Sequence, residues 1–168
     1  DDIVLGLPSS GLHTNGYSLA RKLFFEIGNY RTDSVMPLLD KTLGETLLEP
    51  HINYTNHVQS LLDKNFNVKG IAHITGGGLI ENIPRILPHG HAVKIQKKAW
   101  PQLPIFEAMQ SIGNLDEFEM YRTFNMGIGL VLIVPPSFEK EARTILENLS
   151  DVYNIGRVTE GDRNVELI

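Results

Sequence analysis

The chain has no cysteine and only one tryptophan in 168 residues. The absence of thiols excludes disulfides, thiolate metal sites and cysteine nucleophiles, and fits a cytoplasmic protein. No apolar run reaches the ~20 residues that a membrane-spanning helix needs, and no signal-peptide pattern opens the sequence. Basic clusters are lacking too. Lys and Arg number 15 against 20 Asp and Glu, for a formal charge of −5, which argues against a nucleic-acid partner because such proteins carry a basic stripe or patch. Repeats and low-complexity tracts are absent. With 42% hydrophobic residues over this length, a soluble single domain spanning 1–168 is expected, long enough for one core and short for two.

What is present concentrates in three loops. Ile3, Val4 and Leu5 read as a buried strand, and Leu19, Ala20, Leu23, Phe24 and Ile27 as the buried face of a helix. The connection between them holds Ser9, Ser10, Gly11, His13, Thr14, Asn15 and Gly16. Gly11 and Gly16 allow positive φ or close approach to a ligand, and Thr14 or Asn15 is placed to cap the helix. Unpaired amides at a helix start favour an anion such as phosphate. Ser9, Ser10, Thr14 and Asn15, with the amides around Gly11 and Gly16, are therefore a candidate phosphate or substrate cradle; ordinary turn bonding is the alternative for the hydroxyls. His13 is the candidate catalytic residue, as a donor to a phosphoryl oxygen or a proton shuttle, with an orienting backbone hydrogen bond as the alternative.

The second loop, Thr75-Gly76-Gly77-Gly78, follows the short apolar run Ile71 to Ile74, and three consecutive glycines cost much conformational entropy on folding. Either a ligand cleft or a tight turn with backbone packed on backbone accounts for it. The third runs from Glu119 to Gly129 and contains Asn125 and Gly127 before the apolar Leu130 to Val134. A glycine there also suits close backbone packing. Arg122 reads best as the partner of Glu119 one helical turn earlier. His51, His57, His89 and His91 show no metal-ligand spacing and read as structural or surface residues, so no metal site is expected in this chain.

Elsewhere, Thr42 to Leu48 forms a short helix ending near Pro50, Val58, Leu61 and Leu62 mark another, and His91 to Gln96 alternates as a strand. Pro104 opens a helix with Ile105, Phe106, Met109 and Ile112 on one face, ended by Gly113. Phe138, Ala142, Ile145, Leu146 and Leu149 form a helical stripe, and Tyr153 to Val158 and Asn164 to Ile168 read as closing strands. Periodicity alone leaves open whether the helices cover a mixed or a doubly wound sheet.

Three stretches taken in order, Gly-Leu-Pro-Ser-Ser-Gly-Leu-His-Thr-Asn-Gly-Tyr-Ser-Leu from Gly6, His-Ile-Thr-Gly-Gly-Gly-Leu-Ile-Glu-Asn-Ile-Pro-Arg from His73, and Tyr-Arg-Thr-Phe-Asn-Met-Gly-Ile-Gly from Tyr121, resemble the C-terminal domain of the phosphoribosylformylglycinamidine cyclo-ligase (aminoimidazole ribonucleotide synthetase) family. The resemblance runs from about Asp2 to Gly156. Two departures stand out. Thr14 occupies a position that is usually serine in the family, and Leu47-Leu48-Glu49-Pro50-His51-Ile52-Asn53-Tyr54 stands where the family more often reads Pro-Thr, a basic residue or histidine, then Ile-Tyr.

The resemblance implies an α+β domain, α/β/α layered around a mixed sheet with partial ferredoxin-like topology. It also implies half of a two-domain enzyme, with the N-terminal ATP-binding domain absent from this chain; a start at Asp1 without Met fits processing or excision. The implied reaction is ATP-dependent closure of formylglycinamidine ribonucleotide to aminoimidazole ribonucleotide, with ADP and phosphate, in purine biosynthesis. ATP and Mg2+ are expected mainly on the missing domain, the isolated domain is expected to be inactive, and the intact protein is expected to be a homodimer. Ser9, Ser10, Gly11, Thr14, Asn15, Gly16, Thr75, Gly76, Gly77, Gly78, Asn125 and Gly127 are the implied substrate- or phosphate-binding set, with His13 catalytic. Two alternatives stay open: another ATP-dependent member of the superfamily, of the formylglycinamidine ribonucleotide synthetase, selenophosphate synthetase, thiamine monophosphate kinase or hydrogenase maturation type, or a non-catalytic module that lost its partner domain.

Overall fold

The computed structural model describes residues 1–168. Six strands, β1 (Ile3–Pro8), β2 (Gly70–His73), β3 (His91–Ile95), β4 (Ile128–Val134), β5 (Tyr153–Glu160) and β6 (Val165–Leu167), form one mixed sheet in the order β2-β4-β1-β5-β3-β6. Only the β3–β6 pair is parallel. All seven residues of β4 are buried because both faces of the sheet centre are covered. Leu130, Leu132 and Val134 join Ile3, Leu5 and Leu7 of β1 on one face, and Val131 and Ile133 join Val4 on the other. This period-two sorting into two cores is what a continuous apolar run does in a doubly covered strand.

The larger core lies under α1 (Tyr17–Arg21), which runs straight into a π-helical turn at Lys22–Ile27, and under α2 (Leu43–Leu47), α4 (Gly78–Asn82), α5 (Pro104–Gly113) and α6 (Glu117–Thr123). The smaller core is closed by α3 (Thr55–Leu62) and α7 (Glu139–Leu146), through Leu61, Ala142 and Leu146. The expected α/β/α layering and mixed sheet are thus present. Thr42 and Glu45 make the reciprocal capping box of α2, and Pro104 occupies the first turn of α5. No helix is long and apolar enough to cross a membrane.

Two local expectations fail for physical reasons. Ile27 is half exposed, since the wider π turn rotates it off the stripe that a 3.6-residue period would have kept in register. Leu149 is exposed because α7 ends at Leu146. Gly113 ends α5 as expected, packed tightly against Leu23 and Leu115, and the left-handed cap falls on the following Asn114 (φ 44°).

Topology positions the loops. β1 and β2 both run antiparallel to β4, so the segments leaving β1 and β2 and the segment entering β4 meet at one end of the sheet. The Ile74 amide donates to Gly129 O (2.9 Å) and the Ser9 amide to Gly127 O (2.9 Å), extending the ladders into the loops.

Candidate functional site

The loop cluster is organised around Asn125. Its Nδ2 donates to Gly11 O (2.8 Å), and its Oδ1 accepts from the Ser9 hydroxyl (2.8 Å) and the Gly127 amide (2.8 Å). Ser9 and Asn125 are 5% and 3% exposed, so their polar atoms tie the first and third loops together. Gly127 sits at φ 96°, and the Trp100 indole N–H donates to the neighbouring Met126 O at 2.8 Å. A left-handed position of this kind favours glycine.

The glycine triplet divides in two. Gly78, at φ 54°, is pressed against the third segment: a Cβ there would collide with Tyr121 O and lie 2.6 Å from Phe124 O. Gly76 is exposed, and a Cβ on it would find only Asn15 Oδ1, at 3.7 Å. Buried Asn82 clamps the turn, with Nδ2 facing the carbonyls of Thr75 (3.3 Å), Gly76 (3.2 Å) and Gly78 (2.8 Å), while Oδ1 accepts from Thr75 Oγ1 (3.2 Å) and Arg85 Nη1 (3.1 Å). The turn therefore serves close backbone packing at Gly78 and opens outward at Gly76.

The first loop differs from expectation. Gly16 is the N-cap of α1 at φ 77°, and neither Thr14 nor Asn15 caps the helix through its side chain. A Cβ on Gly16 would clash with the Phe124 ring, so this glycine is required by the fold as well as by access. Positive φ falls on His13 (57°), not on Gly11. The amides of Gly16, Tyr17 and Ser18 have no acceptor within the chain; with the exposed Thr14 and the half-buried Asn15 they form the outward surface of the loop. Ser10 Oγ donates to Pro50 O at 2.5 Å. Arg122 pairs with Glu119 through two hydrogen bonds of 3.1 and 3.2 Å, as its spacing predicts.

His13 is 3% exposed. Its Nε2 faces the Ser10 amide at 3.1 Å; an amide can only donate, so Nε2 accepts and the ring proton resides on Nδ1, which has no partner. Burial, followed by the nearby His51 and His73 imidazoles, pushes its pKa down from 6.5 to about 4. At neutral pH the ring is uncharged, which supports the orienting role over that of a cationic donor. His51 stacks on it, with centroids 4.0 Å apart and planes at 19°; His51 Nε2 lies 3.1 Å from His73 Nε2, and His51 Nδ1 lies 3.3 Å from Thr14 Oγ1. His73 thus reaches towards the loop cluster and not into the sheet.

Tyr54, buried beside them, donates to Pro8 O (2.6 Å), and its pKa is raised by burial. Gly129 makes room, since a Cβ there would meet the Tyr54 hydroxyl and His13 Cε1. A cavity of ≈ 560 Å³ opens alongside, lined by His51, Tyr54, His73 and Leu130 among others. Sequence reasoning missed His51, Tyr54 and Asn82. The unusual segment at Pro50–Tyr54 and the glycine inside β4 were the available signals.

The whole chain, residues 1–168, matches the family described as AIR synthase related protein, C-terminal domain. It is 50% identical over 161 residues to a protein of Geobacillus thermodenitrificans named phosphoribosylformylglycinamidine cyclo-ligase, covering 95% of this chain and 46% of that protein. The protein of the same name from Syntrophotalea carbinolica is 48% identical, over 99% of this chain and 49% of its own length. The thiamine-monophosphate kinase structure from Stenotrophomonas maltophilia K279a has a TM-score of 0.61 at 18% identity, over 99% of this chain and 49% of that one. Hydrogenase maturation protein HypE in complex with ATP gives 0.62 at 16%, over 99% and 47%. These two structures establish a shared fold. The chain spans about half the length of the curated relatives it matches, and it belongs to the family of AIR synthase related proteins, as their C-terminal domain.

Proposed function

We propose that this chain is the C-terminal half of a cytoplasmic, homodimeric cyclo-ligase that uses ATP to close formylglycinamidine ribonucleotide to aminoimidazole ribonucleotide, releasing ADP and phosphate. The observation that carries this reading is 50% identity, over 95% of the chain, to a protein named for that activity. The reaction asks a protein to neutralise charge on a transferring phosphoryl group and to hold a nitrogen and a carbon in near-attack contact. It needs no thiol nucleophile, in keeping with the cysteine-free sequence.

In this reading the unpaired amides of Gly16, Tyr17 and Ser18, the outward Gly76 and Gly77, and the side chains of Thr14 and Asn15 contact the substrate or its phosphate. Ser9, Gly11, Thr75, Gly78, Asn125 and Gly127 act through the backbone frame they build, Ser10 pins the loop to Pro50, and His13 orients Ser10. Because the chain spans only about half the length of its curated relatives, we assign Mg2+ and most ATP contacts to the preceding half of the protein. This division makes the isolated chain inactive.

The test is turnover by the intact protein. ATP and formylglycinamidine ribonucleotide should give equal amounts of ADP and aminoimidazole ribonucleotide, and the 168-residue chain alone should give neither. No cyclisation by pure, folded intact protein, or ATP use only with another acceptor such as selenide or thiamine monophosphate, would overturn the reading.

A further inference from the structure

We propose that His51 and His73 form a binding site for a borderline-soft divalent transition cation of the Zn2+ or Ni2+ type, with its remaining coordination positions open to the adjoining cavity. The inference concerns residues outside the cradle, apart from Thr14, and does not depend on the ligase reading.

The first support is distance. The two Nε2 atoms are 3.1 Å apart. Two imidazole nitrogens bound at ~2.0–2.1 Å to one ion would lie about 2.9 Å apart at a right angle and about 3.4 Å apart at a tetrahedral angle. The observed separation falls between these, so the rings need little movement to share an ion.

Orientation is the second. Ligating histidines characteristically give their other ring N–H to an oxygen, which fixes the tautomer and turns the lone pair to the metal. His51 Nδ1 has such a partner in Thr14 Oγ1 at 3.3 Å, leaving Nε2 free to coordinate. The stacked His13 ring restrains His51 from its other side. His13 itself is not a ligand, because its Nε2 already accepts from the Ser10 amide.

Access is the third. Both ligands line the ≈ 560 Å³ cavity, and His73 is exposed. With no third His, Asp or Glu side chain completing the group, water or a small ligand from the cavity must fill the shell. An imidazole pair selects Zn2+, Ni2+, Cu2+ or Co2+ over Mg2+, which prefers oxygen donors. The competing account of the 3.1 Å contact is a direct hydrogen bond between two neutral rings, and the experiment must separate the two.

Titration calorimetry of the intact protein with Zn2+ and with Ni2+ should show a saturable site whose affinity falls at least ~10-fold in both His51→Gln and His73→Gln. That site should be unchanged in His91→Gln, whose ring lies against its own turn at His89 O, and Mg2+ should not compete for it. Should either site variant fail to fold, the wild-type protein decides: Zn2+ should protect His51 and His73, but not His89 or His91, from carbethoxylation by diethyl pyrocarbonate, read by peptide mass spectrometry. Absence of saturable Zn2+ binding, affinity unaffected by both substitutions, or protection that misses His51 and His73 would each overturn the proposal and leave the hydrogen bond as the account.

Discussion

The Asn125 frame and the histidine cluster sit at the same end of the sheet, yet they are built oppositely. Around Asn125 the side-chain donors and acceptors find partners at 2.8 Å, so the loops entering and leaving the sheet are fixed to one another. In the cluster, His13 Nδ1 and the nearby His57 Nδ1 are buried without partners, and three imidazoles are crowded together. The contrast teaches that glycine, hydroxyl and amide residues in one loop motif do different work: those turned inward set the spacing, and those turned outward remain available to a ligand. An unpaired buried polar atom costs about 1–3 kcal/mol, so the cluster is the part of this region least explained by stability alone.

The sharpest way to break the comparison is within the glycine triplet. Gly78→Ala would drive a Cβ into two carbonyl oxygens at a left-handed position, and we expect a loss of about 4 kcal/mol or more, or failure to fold. Gly76→Ala places a Cβ in ordinary van der Waals contact with Asn15 Oδ1 alone and should stay within ~0.5 kcal/mol of wild type. Denaturant unfolding of the two variants checks this, and equal effects would remove the inward–outward distinction.

Asn125→Ala comes next. It removes three buried hydrogen bonds and leaves the Gly11 carbonyl and Gly127 amide without partners, for an expected cost of about 2–4 kcal/mol. The same measurement decides it; a cost below ~1 kcal/mol would mean that the loops are held mainly by backbone pairing.

Acid should single out the cluster. The pKa of His13 is about 4 when folded against 6.5 as its ordinary value, so the unfolded chain takes up the proton first as pH falls. Stability is fully present above about 6.5 and declines towards about 4. His57 and His73, whose pKa values are also lowered by burial, act in the same direction. The melting temperature should drop across this window, and the slope should be shallower in His13→Gln. An unchanged slope would place the sensitivity elsewhere.

The smallest effect belongs to Asn15→Ala. Because Asn15 does not cap α1, its stability cost should be below ~0.5 kcal/mol, less than the roughly 1 kcal/mol lost with a true cap.

Much of this was legible from the chain. The strands and the convergence of the three loops follow from apolar periodicity and from the order of the motifs, and the Glu119–Arg122 pair from helical spacing. Direction was not legible. Nothing local distinguishes Gly78 from Gly76, because the difference lies in the carbonyls of Tyr121 and Phe124, over 40 residues away in sequence. Ile27 was misplaced because a π turn breaks the period on which such reasoning rests. His51 looked like a surface residue since its partners, His13 and His73, are brought to it by chain crossing and not by spacing.

The central claim, that the outward half of these loops is the ligand surface, is tested most directly by amide NMR of the intact protein titrated with inorganic phosphate. The account predicts that the signals of Gly16, Tyr17, Ser18, Gly76 and Gly77 move together and saturate, while those of Gly78 and Gly127 move little. If these five stay still while another surface responds, the loops are structural and the cradle assignment is contradicted.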